Sequence, residues 1–258
     1  MTRPSWQDFG THDESAYPEL WDGVVGAWCP SLGPTGLRLH DHSRRSNWGT
    51  LQNMDAPTDW VVSDGQYTLD FDGVNDHVTA GTSGFVGLTD VTIAMWVRLT
   101  STTDEMLFNI RPTNSITNFF VFNGSLNLRG GSTTAVSVTA PSGITNNWRY
   151  LAATIRGTTG TIYYDGGSLA SGTVTAIGAS PTGLDIGAFS DFGAGYYLAG
   201  QIADVAAWNR ALSPNEIQRL YLLGRGGMFE RRRRTLRRVA VEQGATGARR
   251  RRILTGMV

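Results

Sequence analysis

The stretch LAGQIADVAAWNRALSPNEIQRLYLLG, residues 198–224, contains the clearest strand, turn and helix in the chain. Ile202 and Val205 stand among small residues, and this pattern favours a strand in a packed sheet. Ser213 precedes a proline and lies three residues before Glu216, which is the spacing of a reciprocal capping box at a helix start. The stretch therefore predicts a long strand followed by one short helix that ends at its last glycine.

This order of residues resembles the closing strand and helix of laminin-G-like, concanavalin-A-like jelly rolls, where G-x-I-D-E-V-R-I-Y-N-R-A-L-S-x-x-E-I seals the sandwich. The matching residues are Gly200, Ile202, Asp204, Val205, Asn209, Arg210, Ala211, Leu212, Ser213, Glu216 and Ile217. Three further blocks resemble the family in the same order, at 69–78, 91–99 and 147–172. The resemblance implies an all-β, two-sheet antiparallel jelly-roll sandwich with one short C-terminal helix. It implies function only weakly, because one architecture hosts many activities.

The composition is typical of a single all-β domain. The chain has 258 residues, of which 40% are hydrophobic, and its 32 glycines are spread among short runs rich in Thr, Val and Ile. Cys29 is the only cysteine, so no disulfide can form within the chain. Four tryptophans lie on apolar strand patterns, which predicts that they belong to the core. These are Trp28, Trp96, Trp148 and Trp208.

Charge is divided sharply between the body of the chain and its C-terminal end. Residues 225–258 hold eleven arginines and two glutamates, hence a net charge of +9, whereas residues 1–224 hold eleven basic and twenty acidic residues, hence −9. We therefore predict an N-terminal arm at 1–19, a jelly-roll domain at 20–224 and an arginine-rich C-terminal arm at 225–258.

Apolar pairs lie between the arginine clusters of the C-terminal arm, and this favours an arm that docks on an acidic protein surface. The predicted docking residues are Arg231, Arg232, Arg233, Arg234, Arg237, Arg238, Arg249, Arg250, Arg251 and Arg252. Neutralisation of nucleic-acid phosphates is the less favoured alternative. No stretch is long and apolar enough to predict a membrane partner.

The residue patterns of hydrolases are missing from the sequence. Glycosidases with this jelly roll carry E-x-D-x-x-E or E-x-D-x-E on one strand, and the chain contains neither pattern. G-x-S-x-G, H-E-x-x-H and phosphate-loop motifs are absent as well. The sequence therefore predicts a protein that is not an enzyme.

Calcium is the metal that the resemblance implies, because laminin-G-like relatives often bind it near a D-G-x-N-D turn through hard oxygen ligands. The candidate ligands are Asp72, Asn75, Asp76 and Asp204. The alternative is that Asp72 and Asn75 form Asx turns and that Asp204 bonds backbone at a strand end. His40 and His42 would share a strand face as a zinc pair, but no third ligand is identifiable.

Aromatic side chains on exposed loops could stack on sugar rings or contact another protein. The candidates are Trp60, Phe189, Phe192 and Tyr196, with Trp48 and Tyr197 as further ones. These residues therefore predict a contact with a glycan or with a protein, and the pattern favours neither.

The start YPELWDGVVGAW and the arginine-rich end resemble lone laminin-G-like proteins carried by tailed bacteriophages. The N-terminal residues are polar and contain no apolar signal segment. We therefore predict a non-catalytic virion structural protein made in the host cytoplasm, a capsid decoration or adhesion component that docks on capsid proteins, tail proteins or further copies of itself. Glycan binding would be an added role. The alternative is a stand-alone, calcium-assisted carbohydrate-binding lectin outside the cell, and a hydrolase comes third.

Overall fold

The computed structural model describes residues 17–112, 117–130, 135–175, 180–189 and 196–229. The strands of these residues, in chain order, are β1 (Val24–Trp28), β2 (Arg38–Leu39), β3 (Gly49–Gln52), β4 (Trp60–Ser63), β5 (Gln66–Asp72), β6 (His77–Ala80), β7 (Asp90–Leu99), β8 (Asp104–Pro112), β9 (Thr117–Phe122), β10 (Ser125–Gly130), β11 (Ala135–Thr139), β12 (Arg149–Arg156), β13 (Thr159–Tyr164), β14 (Gly167–Thr173), β15 (Pro181–Ile186), β16 (Ala188–Phe189), β17 (Tyr196–Tyr197) and β18 (Ala199–Trp208). The helices are α1 (Pro18–Trp21), α2 (Ala56–Asp59) and α3 (Pro214–Leu223), and a 3₁₀ turn spans Pro30–Leu32.

Most of the strands form two antiparallel sheets that pack face to face. The first sheet has the order β14-β13-β12-β7-β18-β5-β4, and β1 pairs with the later half of β18. The second sheet has the order β11-β10-β9-β8-β15-β6-β3-β2. β16 and β17 form a separate ribbon that lies against β8. The predicted jelly-roll sandwich with one short C-terminal helix is confirmed.

The core lies between the sheets because alternate residues of each strand point inward. On β7, Ile93 and Val97 are fully buried, and on β9 the inward residues are Phe119 and Val121. Each such side chain contributes about 1.5–3 kcal/mol when it leaves water. This buried layer holds the two sheets in a single rigid frame.

The predicted core tryptophans divide into two pairs. Trp28 and Trp208 are fully buried, as the strand pattern predicts. Trp96 and Trp148 are only half-buried, so the prediction was wrong for them. Trp96 points away from the inter-sheet core and stacks on Tyr221 of α3, with ring centroids 5.8 Å apart. The pattern placed Trp96 on a strand correctly but could not tell which face of the sheet it occupies, and Trp148 lies just before β12.

Helix α3 covers the outer face of the first sheet, which we call the covered face. Its start has the predicted capping box: Ser213 accepts from the backbone of Glu216, and Glu216 accepts from the backbone of Ser213. Ile217 and Leu220 are buried in the same cluster as Trp208. The indole nitrogen of Trp208 donates to the Leu20 carbonyl at 2.7 Å, so the first helix is tied to the closing strand.

The packed domain extends five residues beyond the predicted boundary at 224. Met228 and Phe229 are buried on the covered face, and Phe229 meets Trp21 edge-on at 5.6 Å between ring centroids. Arg225 lies over the ring of Trp148 at 4.3 Å. The predicted docking arginines from 231 to 252 and the first sixteen residues lie outside the described residues. No helix in the described part of the chain is long and apolar enough to cross a membrane.

Candidate ligand-binding cleft

A cleft of about 180 Å³ opens on the outer face of the second sheet, beside the ribbon of β16 and β17. Its aromatic lining comes from β9 and from the ribbon. These side chains are Phe120, Phe122, Phe189 and Tyr196. The cleft therefore contains two of the four aromatic residues predicted to bind a ligand. Phe192, which was also predicted, lies outside the described residues.

The ribbon is positioned by the tight approach to the core of the residue that precedes it, Gly187. Gly187 has a φ of +81°, and a Cβ at this position would lie 2.7 Å from the ring of Phe71, so only glycine fits without strain. Its N–H donates to the Leu107 carbonyl of β8 at 3.2 Å. Phe189 and Tyr196 then pair directly across the ribbon, with ring centroids 6.3 Å apart. Both rings are half-buried.

Three polar side chains line the same cleft with an unpartnered buried atom each. These atoms are Asp104 Oδ1, Asn118 Oδ1 and Arg129 Nε. Asn118 pairs in register with Arg129 of β10, so the two side chains are cross-strand neighbours on one face of the sheet. A buried polar group without a partner costs about 1–3 kcal/mol. The three atoms are shielded from solvent, so a ligand can bond them only after the side chains turn toward it.

The Arg129 guanidinium lies 5.5 Å from the ring centroid of Phe120, which lies on the strand beside it. Asn118 Nδ2 is 3.5 Å from Asn109 Oδ1, a long contact that leaves Asn118 only weakly held. The arrangement combines flat apolar surface with separate donors and acceptors. Such a lining suits a small ligand that has both apolar faces and hydroxyl groups.

Glu105 lies at the floor of the cleft and has a structural hydrogen bond. Its Oε2 accepts from the backbone of Ala199 at 2.6 Å, which links the second sheet to the first. Burial raises the pKa of Glu105, against the opposing effect of this hydrogen bond. The cleft thus holds two carboxyl groups, of which only Asp104 has an unpartnered oxygen in its lining.

Asp104, Asn118 and Arg129 were missed by the sequence reasoning. Asn118 and Arg129 each lie between buried neighbours on β9 and β10, which alternate between core and outer face in a period of two, and Asp104 begins β8. That alternation indicates which residues face outward. It contains no information on which strands are neighbours, so the grouping depends on the sheet order.

Trp60 was predicted to be an exposed ligand-binding residue, and this is wrong. Its side chain is buried in the inter-sheet core, and its indole nitrogen donates to the Gly36 carbonyl at 2.9 Å. Trp48 is half-buried and lies away from the cleft. The Arg38 guanidinium lies 4.7 Å from the centroid of its ring, and the ring of His40 lies 4.0 Å away. Neither tryptophan lines the cleft.

The predicted calcium turn is closed by its own hydrogen bonds. Asp72 Oδ1 accepts from the backbone N–H groups of Val74, Asn75 and Asp76 at 2.7, 3.1 and 3.3 Å. Although burial opposes it, these three bonds lower the pKa of Asp72. Burial raises the pKa of Asp76, whose Oδ2 accepts from the Asp72 backbone at 3.1 Å. This geometry is the Asx-turn alternative.

Asp204 was predicted to share this turn, but the structure places it elsewhere. Ala199 pairs with Asp72, and five further residues of strand put Asp204 roughly 16 Å along β18. Its carboxylate accepts from Cys29 Sγ at 2.9 Å and from the Gly226 backbone. Burial raises the pKa of Asp204. Its hydrogen bonds link β18 to Cys29 and Gly226 on the covered face, away from the predicted calcium turn.

The two histidines predicted as a zinc pair differ in environment. His40 is exposed, whereas the buried ring of His42 lies 5.7 Å from that of Phe229. Among the described residues, no group of three or more His, Cys, Asp or Glu side chains is arranged to hold a metal ion. The zinc pair therefore has no third ligand in this part of the chain.

Two packed antiparallel sheets with an aromatic cleft on one outer face define a lectin-type binding fold. A family model for Laminin_G_3, described as the concanavalin A-like lectin/glucanases superfamily, matches residues 72–218. The chain belongs to this family. A comparison with curated proteins gives no match.

Solved structures with the same fold include domain 4 of AbnA, a GH43 extracellular arabinanase from Geobacillus stearothermophilus in complex with arabinotriose. It has a TM-score of 0.60 and 17% identity over 77% of this chain and 98% of that domain. The binding domain of botulinum neurotoxin serotype D/C has a TM-score of 0.62 and 12% identity over 79% of this chain and 52% of that chain. Trypanosoma rangeli sialidase in complex with sialic acid has a TM-score of 0.59 and 18% identity over 78% of this chain and 33% of that chain.

With identities below 20%, the TM-scores show a shared fold alone. The chain spans nearly the whole arabinanase domain but about half of the toxin binding domain and a third of the sialidase. Two of these neighbours, the arabinanase domain and the sialidase, were solved with a carbohydrate, and the third is the binding domain of a toxin.

Proposed function

We propose that the protein is a non-catalytic carbohydrate-binding module whose ligand lies in the cleft beside the β16–β17 ribbon. The observation that carries this proposal is the joint lining of the cleft by the paired rings of Phe189 and Tyr196 and by unpartnered polar atoms. Sugars have apolar C–H faces and a rim of hydroxyl groups. They therefore need flat aromatic surface and hydrogen-bonding groups side by side.

The family and the neighbouring structures support this proposal at the level of fold. Domain 4 of the arabinanase was solved with arabinotriose, and the sialidase was solved with sialic acid. A non-catalytic role is supported by the lack of the E-x-D-x-x-E and E-x-D-x-E patterns in the sequence. Within the cleft, Glu105 is occupied by its bond to the Ala199 backbone.

The test is a glycan array followed by titration calorimetry of the best ligand. Replacing Tyr196 by alanine should weaken binding at least about tenfold, because truncation of an aromatic hot-spot residue costs about 2 kcal/mol or more. Tyr67→Ala is the matched control, since Tyr67 is also partly exposed but lies on β5 of the first sheet. Absence of any glycan ligand, or equal effects of the two substitutions, would contradict the proposal.

Calcium assistance remains a prediction, and the same titration in calcium and in EDTA tests it. A calcium-assisted lectin loses its glycan in EDTA. The hydrogen bonds that close the turn from Asp72 to Asp76 favour binding that persists without calcium. A loss of binding in EDTA that Asp72→Asn reproduces would establish the calcium-assisted alternative.

We also propose that the chain is a structural component of a virion, either a capsid decoration or an adhesion protein, and that the alternative location is extracellular. The observation behind this is the charge division, +9 for residues 225–258 against −9 for the rest. An acidic surface on a capsid or tail protein, or on a second copy of the chain, would attract the arginine clusters. Nucleic acid is the alternative partner, and no membrane partner is proposed.

Sedimentation of the full chain and of a chain that stops after Phe229 tests this second proposal. Stopping there keeps Met228 and Phe229, which are buried in the domain. The full chain should self-associate or bind purified virion subunits at low salt and release them at high salt, whereas the shortened chain should stay free. Equal behaviour of the two chains would contradict the arm model, and selective binding of the arm to nucleic acid would favour the alternative.

A further inference from the structure

We infer that the cleft selects uncharged saccharides with adjacent hydroxyl groups, and that Asp104, Asn118 and Arg129 determine this selectivity. The inference rests on the proposed carbohydrate-binding function and adds the chemical class of the ligand. It is carried by the polar lining of the cleft, which the aromatic residues alone do not explain.

The three polar residues present complementary unpartnered atoms along one cleft, with Asn118 and Arg129 side by side and Asp104 opposite Phe122. Asn118 is 2% exposed and lines the cleft, and its Oδ1 has no hydrogen-bond partner. Asp104 Oδ1 and Arg129 Nε, also in the cleft lining, have no hydrogen-bond partner either. Two of these atoms accept hydrogen bonds and one donates. Asn118 and Arg129 are direct cross-strand partners, so their separation is set by the sheet.

A pair of adjacent hydroxyl groups matches this set. Each hydroxyl donates one hydrogen bond and accepts others, so one hydroxyl can donate to a carboxylate or amide oxygen while its neighbour accepts from the guanidinium. The terminal torsions of Asn and Asp are broad, so a modest rotation turns these oxygens toward a ligand. A site built to pair a hydroxyl strongly rejects an analogue that lacks it, because the buried polar groups then stay unpaired.

The charges around the cleft disfavour an acidic sugar. The cleft lining holds the carboxyl group of Asp104 and the guanidinium of Arg129, whereas the Glu105 carboxyl group is bonded to the Ala199 backbone. A sugar carboxylate that approached Arg129 would also meet the carboxylate of Asp104 across the same small cleft. Like charges at such separations repel, most strongly where the surroundings exclude water. An uncharged sugar uses the donor and both acceptors without this repulsion.

The experiment measures binding by calorimetry for three sets of ligands: neutral oligosaccharides found on the array, their deoxy analogues, and uronic-acid or sialylated counterparts. The wild-type chain should bind neutral sugars at least tenfold more tightly than deoxy or acidic ones. Arg129→Met keeps the apolar stem but removes the donor, so it should weaken neutral binding at least tenfold. Asp104→Asn keeps an acceptor and removes the charge, so it should reduce the preference for neutral over acidic sugars at least fivefold.

Arg38→Met is the matched control, because Arg38 also lies over an aromatic ring, Trp48, but outside the cleft. Its affinities should equal those of the wild type. Thermal unfolding checks the fold of each variant, and Arg129→Lys, which keeps the charge but loses the planar guanidinium, replaces Arg129→Met if that variant does not fold. A tenfold loss by either Arg129 variant supports the inference.

Different results would contradict the inferred selectivity and the proposed carbohydrate-binding function. A chain that binds sugars through Tyr196 but prefers acidic ones, or that is insensitive to Arg129 and Asp104, overturns the selectivity and leaves the carbohydrate module in place. A chain that binds no sugar overturns both.

Discussion

The two outer faces of the sandwich use polar groups in opposite ways. On the covered face, the Asp204 carboxylate accepts from Cys29, Ser31 and Gly226. On the face with the cleft, Asp104 has an oxygen with no partner. Satisfied buried groups stabilise a fold, whereas unsatisfied ones cost free energy that a ligand can recover. The difference indicates that one face is built for stability and the other for binding.

Aromatic residues follow the same division. Trp208 of the covered face is fully buried and bonded to the Leu20 carbonyl, and Phe229 packs edge-on against Trp21. Phe189 and Tyr196 of the cleft are only half-buried and contact each other across a two-stranded ribbon. A ring that still has accessible surface can stack on a ligand, and a fully buried ring cannot.

The largest expected effect is a difference in the free energy of unfolding between substitutions on the two faces. Trp208→Ala should lower the free energy of unfolding by about 3–5 kcal/mol, because it leaves a large cavity and an unpaired carbonyl at Leu20. Tyr196→Ala in the cleft should lower it by less than about 1 kcal/mol. Urea unfolding followed by fluorescence and circular dichroism measures both. Comparable losses at the two positions would remove the distinction between the faces.

A smaller effect is expected where α3 begins. Ser213→Ala should cost about 1 kcal/mol of unfolding free energy, because the Glu216 N–H then loses its side-chain acceptor. Ser142, exposed in a turn, supplies the control: its change to alanine should stay within about 0.5 kcal/mol of the wild type. Urea unfolding curves of the two variants decide this, and a Ser213→Ala midpoint equal to that of the wild type would rule out a stabilising cap.

The pH dependence of stability tests the buried carboxylate of the covered face. Because burial raises the pKa of Asp204 in the folded protein, the native state holds this proton more tightly than the unfolded chain. The contribution of Asp204 is therefore fully present below its unfolded pKa and is lost as the pH rises through the folded one.

Unfolding free energies at a series of pH values, for the wild type and for Asp204→Asn, isolate this contribution. The wild-type minus variant difference should grow as the pH falls through that window. A difference that stays constant with pH would show that Asp204 titrates alike in the folded and unfolded chains.

The smallest expected change is on the cleft face. Arg129→Met should not lower the free energy of unfolding, because the lost Nε has no partner and the stem still packs on Phe120. Arg210→Met is the comparison variant, since Arg210 donates to the Asp22 carbonyl and forms an ion pair with Glu216 of α3. Urea unfolding of the two variants should therefore differ, with the larger loss at Arg210.

The fold could be predicted well because its signals are local. The spacing of Ser213 and Glu216 determines a helix start, and the order of the four blocks determines the family. The ligand residues could be predicted only in part: Phe189 and Tyr196 lie in the cleft, whereas Trp60 is buried in the core between the sheets. An aromatic residue next to turn residues has the same local signature whether its ring enters the core or stays outside.

The sequence by itself determined the strand-rich class, the capped closing helix and the separation of acidic and basic regions, because strand periodicity, capping and charge are properties of neighbouring residues. The two-sheet jelly roll was predicted from the resemblance of four ordered blocks to a known family. Only the tertiary structure decided that Asp104, Asn118 and Arg129 share one cleft and that Asp204 belongs to the opposite face. These residues come from different strands, and their neighbours are set by sheet order and register. Pairing between strands depends on the packing of the whole core, which no single segment encodes.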